Sequence, residues 1–191
     1  SNRSIAPKVP SKSDKMKGAE QNINKSNKTN YDFKYEIFIA PKTGKKIKAA
    51  TRNNAVVPLD KVNIYARGKV PDVRSKLREL NKFKQTKRKE FDSDPQNELL
   101  LKKLKGQKHN FERSSDMSRH LDGIGLIETD KNNNFIIDNL LSTGNDVTPD
   151  NRAWVPSTLE GPNGRLKVES TWKIMDDKRA YLTTLKLMPI K

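Results

Sequence analysis

The alternation of apolar and polar positions is clearest between Gly164 and Pro189. There Leu166, Val168, Trp172 and Ile174 interleave with Lys167, Glu169, Thr171 and Lys173, and a second alternating run follows after Asp177-Lys178. A period of two predicts two strands, and the Asp177-Lys178 pair between them predicts a hairpin turn. With Asp177 and Lys178 as the turn, Ile174 faces Tyr181, Trp172 faces Thr183, Ser170 faces Leu185 and Val168 faces Leu187, which forms a mostly apolar face that must be buried. The opposite face then pairs Thr171 with Thr184, Glu169 with Lys186, Lys173 with Leu182 and Lys167 with Met188, and is polar and cationic.

Upstream, Phe135 to Leu141 and Ala153 to Leu159 read as two further strands, the second weakened by Pro156, with Pro162-Asn163-Gly164 as a hairpin turn. The run DKNNN before Phe135 reads as a polar turn. Earlier the period changes. Val73, Leu77, Leu80 and Phe83 follow helical spacing among the eight lysines and arginines from Arg74 to Lys89, which predicts a basic amphipathic helix over 71–91. Asp94-Pro95 is an N-cap followed by proline at the first helical position. It opens a short helix with Leu99, Leu100 and Leu104 inward and Gly106 as its stop. Ser114-Ser115 starts another helix, with Met117, Leu121 and Ile124 on one face. Tyr35 to Ala40 and Lys45 to Ala49 form a small hairpin around Pro41 to Gly44.

These elements predict an α+β fold in which N-terminal helices pack on a C-terminal antiparallel sheet of about four strands, preceded by a basic linker. Residues 1–30, rich in Ser, Asn and Lys and nearly free of large hydrophobes, are expected to be a disordered basic linker. Residues 31–70 are expected to be a small hairpin, linker or import segment, and residues 71–191 the functional domain.

Charge sharpens this division. The 191-residue chain carries a formal net charge of +16, which points to a polyanionic partner. Residues 1–110 hold 28 basic and 11 acidic side chains and residues 111–191 hold 11 and 12, so the electrostatic grip lies in the first part. With no cysteine, disulfides, thiolate metal sites and cysteine nucleophiles are excluded. No run of about 20 apolar residues predicts a membrane span.

Candidate chemistry is sparse. Pro41 to Lys45 lacks the spacing of a phosphate-binding loop. Asp130, Asn132, Asn134 and Asp138 lack the sixth-position glycine of a calcium loop, and Leu141 stands where its last acid belongs. No cofactor or metal is expected, because His109 and His120 lack both the spacing and the third ligand of a zinc site. As imidazoles they suit general acid–base work, deprotonating a ribose 2′-hydroxyl and protonating the leaving 5′-oxygen. Lys173, Arg113 or Arg119 would meet the charge of the transition state, with Thr171 and Thr184 donating hydrogen bonds. Alternatively, His109 is a solvated loop residue and His120 a surface residue beside Asp116. Trp154 and Trp172 are candidates for base stacking, although the hairpin register places Trp172 in the core.

The Lys- and Ser-rich lead, the basic helices and the final KVESTWKI and AYLTTLK strands resemble the C-terminal toxin domains of bacterial polymorphic and contact-dependent growth inhibition systems. More narrowly, roughly residues 70–191 look like the barnase, EndoU, colicin D and RelE ribonuclease superfamily. The resemblance implies catalytic roles for His109, His120, Lys173 or Lys167, and Thr171 or Thr184, with Tyr181 as the late aromatic; Arg113, Arg119, Lys167, Lys186 and Tyr181 are the residues expected to bind the substrate. It also implies a metal-independent cut in cellular RNA, often transfer RNA. The domain would be delivered by a producing cell into the cytoplasm of a target bacterium and blocked by an acidic immunity protein. Two other readings stand beside it: a non-catalytic basic nucleic-acid-binding protein, and a metal-dependent DNase using Glu112, Asp116 and Asp122.

Overall fold

The computed structural model describes residues 31–40 and 42–190. The expected linker over 1–30 and Pro41 of the first turn lie outside the described residues. The chain is α+β. Its strands are β1 (Lys34–Ile39), β2 (Lys46–Arg52) and β3 (Ala55–Pro58), then, after the helices, β4 (Val155–Gly161), β5 (Gly164–Ile174) and β6 (Ala180–Pro189). Between the two groups come a π-helical turn (Lys61–Tyr65) and helices α1 (Arg74–Thr86), α2 (Arg88–Asp92), α3 (Pro95–Gly123) and α4 (Asp130–Asn145).

The sheet has six strands in the order β1-β2-β3-β6-β5-β4, rather than about four. All neighbours are antiparallel except β3 and β6, which run parallel through Ala55 with Ala180 and Val56 with Tyr181. The segment 31–70 therefore supplies three strands of the same sheet, and the helices follow strands instead of leading the fold. All four residues of β3 are buried, as a short central strand covered on both faces requires.

Two expectations about helices are corrected. Residues 135–141 form the middle of α4 rather than a strand. Ile136, Leu140 and Gly144, with Ile137 and Leu141, recur at helical intervals and are all buried. Thr129 caps the helix by accepting the backbone N–H of Asn132 at 3.0 Å, so the polar run DKNNN is its first turn. Likewise α3 runs unbroken for 29 residues through Gly106 and Ser114-Ser115. Gly106 is an exposed helical position, and Ser114 is buried with its hydroxyl donating to the Tyr65 carbonyl. The Asp94 cap is as expected, its carboxylate accepting from Gln96 N at 3.0 Å. Inward-facing residues differ by a third of a turn: Leu101 and Leu104 are buried, while Leu99 is 59% and Leu100 44% exposed.

One face of the sheet packs on α3 and α4. Its core joins Met117, Leu121 and Ile124 to Leu182, Leu185, Leu187 and the fully buried Trp172, each large apolar side chain contributing about 1.5–3 kcal/mol. The Trp172 indole N–H donates to Ser170 Oγ at 2.9 Å. Polar clamps set the layers: Arg52 reaches Asp138 at 2.6 Å, and buried Arg67 donates to Asn133 Oδ1 at 2.8 Å and to the Leu126 carbonyl at 2.7 Å. A second, smaller core joins Val73, Leu77, Phe91, Leu101 and Leu104, with Leu80 and Phe83 against it, so α1, α2 and the first half of α3 form a basic helical arm.

The final hairpin keeps the expected register from Lys167 opposite Met188 to Thr171 opposite Thr184. Beyond that point a bulge shifts it by one residue. Trp172 lies opposite Leu182, Lys173 opposite Tyr181 and Ile174 opposite Ala180, in place of Thr183, Leu182 and Tyr181. The extra residue is Thr183, whose hydroxyl donates to the Thr171 carbonyl at 3.0 Å. The shift moves Tyr181 off the helix-covered face and onto the opposite one.

Candidate nucleic-acid interface

The sheet face turned away from α3 and α4 is assembled by strand parity. Along β5, Lys167, Glu169, Thr171 and Lys173 point to it in succession, because Leu166, Val168, Ser170, Trp172 and Ile174 are turned into the core. The neighbouring strand adds Met188, Lys186, Thr184 and Tyr181, and β4 adds Thr158 and Pro156. Glu169 stands directly across from Lys186 and forms an ion pair with Lys167 at 3.4 Å. Thr171 accepts the backbone N–H of Trp154 at 3.1 Å, and the Lys186 ammonium lies 3.9 Å from the centroid of the Trp154 ring. A cleft of about 850 Å³ opens beside them over Pro156, Thr158, Lys167, Met188 and Ile190.

The other half of this face is apolar. Tyr181, only 6% exposed, packs with Ala49, Val56, Phe38, Ile47 and Met175. Burial pushes its phenol above the ordinary value, which keeps it protonated. An ionic strap closes the edge of this patch. Arg179 Nη1 meets Glu36 at 3.1 Å, its Nε meets Asp177 at 3.0 Å, and its guanidinium lies 5.0 Å from the Phe38 ring centroid. The Thr51 hydroxyl donates to Glu36 at 2.7 Å. Chiefly through that hydrogen bond, and then through Arg179, the Glu36 carboxyl is held below its ordinary range.

The structure brings Lys167, Lys173, Lys186, Thr171, Thr184 and Tyr181 together on this face. It does not bring His109, His120, Arg113 or Arg119 there. All four lie on α3, which packs through Met117 and Leu121 against the opposite face. The two histidines are separated by three helical turns, about 16 Å along the axis, too far to serve one phosphate. His109 is exposed, with Nδ1 3.9 Å from Glu112, and Arg119 is paired with Asp116. Among the described residues no group of three or more His, Asp or Glu side chains forms a metal-ligand set, so Glu112, Asp116 and Asp122 do not gather into one.

The basic helical arm offers a second cationic surface. A groove of about 650 Å³ between α1 and α3 is floored by Val73, Leu80, Phe83 and Leu104 and edged by Lys76 and Lys103. Among the described residues no helix is long and apolar enough to cross a membrane. Sequence reasoning passed over Glu169 as a chemical group, although the alternation of β5 placed it between Lys167 and Thr171. It also passed over the Glu36–Thr51–Arg179 strap, which joins residues 143 positions apart and left no local signal.

No protein-family model matches the chain, and no curated protein is significantly similar to it.

Proposed function

We propose that this chain is a metal-independent endoribonuclease of the toxin kind, with RNA lying across the open face of its sheet. The observation that carries the reading is the stripe Lys167, Glu169, Thr171, Lys173 along β5, faced by Lys186 and Thr184. It gathers cations, hydroxyl donors and a carboxylate on one solvent-facing surface. In this scheme the Glu169 carboxylate takes the proton of a ribose 2′-hydroxyl as its oxygen attacks the adjacent phosphorus. Lys186, directly opposite, gives a proton to the departing 5′-oxygen, leaving a 2′,3′-cyclic phosphate and a free 5′-hydroxyl. Lys173 with Thr171 and Thr184 stabilises the charge gathered on the phosphorus oxygens. The histidines take no part, because α3 holds them on the other side of the sheet.

The same reading places the domain in the cytoplasm of a target bacterium, with transfer RNA as substrate and an acidic immunity protein covering the cationic face. Charge supports both partners: transfer RNA and an acidic protein each complement a surface with Lys167, Lys173 and Lys186 around a single glutamate.

A non-catalytic nucleic-acid-binding protein is the second reading. The basic helical arm favours it, since Arg74, Lys76, Arg78, Lys82, Lys84, Arg88 and Lys89 of α1 and α2 grip phosphate without chemistry. Incubation of the purified chain with total cellular RNA in excess EDTA decides between them. Discrete fragments with 2′,3′-cyclic phosphate ends, lost in Glu169→Gln and Lys186→Ala but kept in His109→Ala and His120→Ala, are the expected result. Intact RNA held in a salt-sensitive complex establishes the binding protein instead, and cleavage that survives Glu169→Gln removes the assigned base.

A further inference from the structure

The loop between α4 and β4 ends in an arrangement that the cleavage scheme leaves unused. Trp154 adopts φ of 49°, in the left-handed region that a bulky side chain enters only at a cost of about 1–2 kcal/mol. The conformation is held from both sides. The Trp154 N–H donates to Thr171 Oγ1, and the backbone of Arg152 accepts Trp172 N–H at 2.8 Å while its Nη1 donates back to the Trp172 carbonyl at 3.1 Å. The effect is to turn the indole out over the open face, where it is 42% exposed and covered by the Lys186 ammonium. An indole of this size is ordinarily buried. Here backbone strain is spent on presenting it.

We infer that Trp154 is a stacking platform for one unpaired nucleobase of a single-stranded RNA, with Lys186 and Lys167 taking the phosphates on either side of it. This deepens the proposed function by naming the substrate as single-stranded at the site, and it rests on that reading for the choice of RNA. A flat aromatic face beside an ammonium group recognises a ligand that is planar and carries a negative charge within a side chain's reach, and a nucleotide is both. The sheet supplies the spacing. Trp154 is tied to the Thr171–Thr184 row, Glu169 and Lys186 form the next, and Lys167 and Met188 at the mouth of the 850 Å³ cleft form the third, with successive rows about 7 Å apart. The cleft thus lies along the strand direction from the platform, where the next nucleotide of an extended strand runs. A base pair inside a duplex cannot use the platform, because both of its faces are stacked on neighbouring pairs.

The chain has two tryptophans and Trp172 is fully buried, so emission that responds to ligand reports Trp154. The probe is a 2′-O-methylated hexaribonucleotide, which binds without being cut, titrated as a single strand and as a duplex with its complement. The expected result is quenching by the single strand alone. Trp154→Phe should abolish the quenching yet keep most of the affinity, and Trp154→Ala should weaken binding about 5- to 150-fold by anisotropy of a labelled strand. Trp154→Gly should weaken it equally while suiting the positive φ, so that lost affinity is not lost folding. Absence of quenching, equal quenching by the duplex, or unchanged affinity in Trp154→Gly overturns the inference. Cleavage is not part of the readout. A protein that cuts RNA without quenching sinks only the platform, and one that quenches without cutting sinks only the nuclease.

Discussion

Replacing Gly144 by alanine tests whether the two sides of the sheet are mechanically linked. A Cβ at this position of α4 would stand 2.6 Å from Cη2 and Cζ3 of Trp172 and 2.7 Å from Cβ of Ala55, where carbon atoms ordinarily rest about 3.5–4.0 Å apart. The overlap is close to 1 Å against two opposed groups. One is a fully buried indole held by its hydrogen bond to Ser170, and the other is a methyl fixed to the backbone of β3. Neither is the free end of a flexible chain, so the strain must be taken by moving α4 or the sheet, at a cost of about 1–3 kcal/mol. Alanine returns at most about 1 kcal/mol of helix propensity, and less near the end of the helix. Gly144→Ala is therefore expected to lower Tm by about 2–8 °C, at about 2–4 °C per kcal/mol for a chain of this size. Gly106→Ala, in a helix with nothing within 4 Å of the new methyl, is expected to raise it. Thermal unfolding followed by the change in tryptophan emission as buried Trp172 reaches water reads both. Because Trp172 sits between Thr171 and Lys173, Gly144→Ala should also weaken RNA retention at temperatures where it is still folded. A Gly144→Ala protein as stable as Gly106→Ala refutes the packing argument.

Truncating Leu101, buried in the arm, should cost about 2–5 kcal/mol, whereas Leu99→Ala, at an exposed position, should change stability by less than about 0.5 kcal/mol, both by urea denaturation. Lys173→Ala should reduce the slope of log affinity for RNA against log salt by about 1, since each phosphate contact releases its counterions; an unchanged slope removes Lys173 from the interface. Glu36 has a folded pKa below its unfolded one, so its contribution is fully present above the ordinary carboxylate value and is lost as pH falls through the folded value. The stability gap between wild type and Thr51→Val should accordingly shrink as pH falls below the ordinary carboxylate value, and a gap that widens on acidification contradicts the assigned hydrogen bond.

The fold was legible where its signals are local. The alternation of β5 and β6, the Pro162-Asn163-Gly164 turn, the Asp94 cap and the amphipathic α1 each carry their own instruction within a dozen residues. The failures share a cause. Ile136-Ile137 and Leu140-Leu141 form consecutive apolar pairs that satisfy a buried strand as well as a helix, and the deciding features were the Thr129 cap and the buried glycine one turn further on. Gly106 and Ser114-Ser115 are poor helix formers by propensity, but α3 is held by what it packs against, including the hydroxyl of Ser114 on the Tyr65 carbonyl. The parallel pairing of β3 with β6 joins residues more than 120 positions apart, and no short window of sequence contains it. The two histidines have the chemistry of an acid–base pair but no local signal for their placement, and a rigid helix three turns long between them decides against a shared site.

The composition of the open face turns on one residue, and here the sequence held a signal. From Leu187 and Leu185 on the core side, strict alternation along β6 carries Thr183 and Tyr181 into the core and exposes Leu182 and Ala180. That outcome would bury two hydroxyls beneath α3 and take Leu182 and Ala180 out of the core they now fill. The order Leu182-Thr183-Thr184-Leu185 resists it, because two adjacent polar residues between two leucines cannot both obey a period of two. Inserting Thr183 as a bulge reconciles them: Leu182 and Ala180 return to the core, Tyr181 moves to the open side, and the surplus hydroxyl is satisfied by the Thr171 carbonyl. The same shift sets Tyr181 opposite Lys173 and leaves Thr171 opposite Thr184, so the polar stripe ends against the apolar patch of Tyr181 because the strand carries one residue more than its partner.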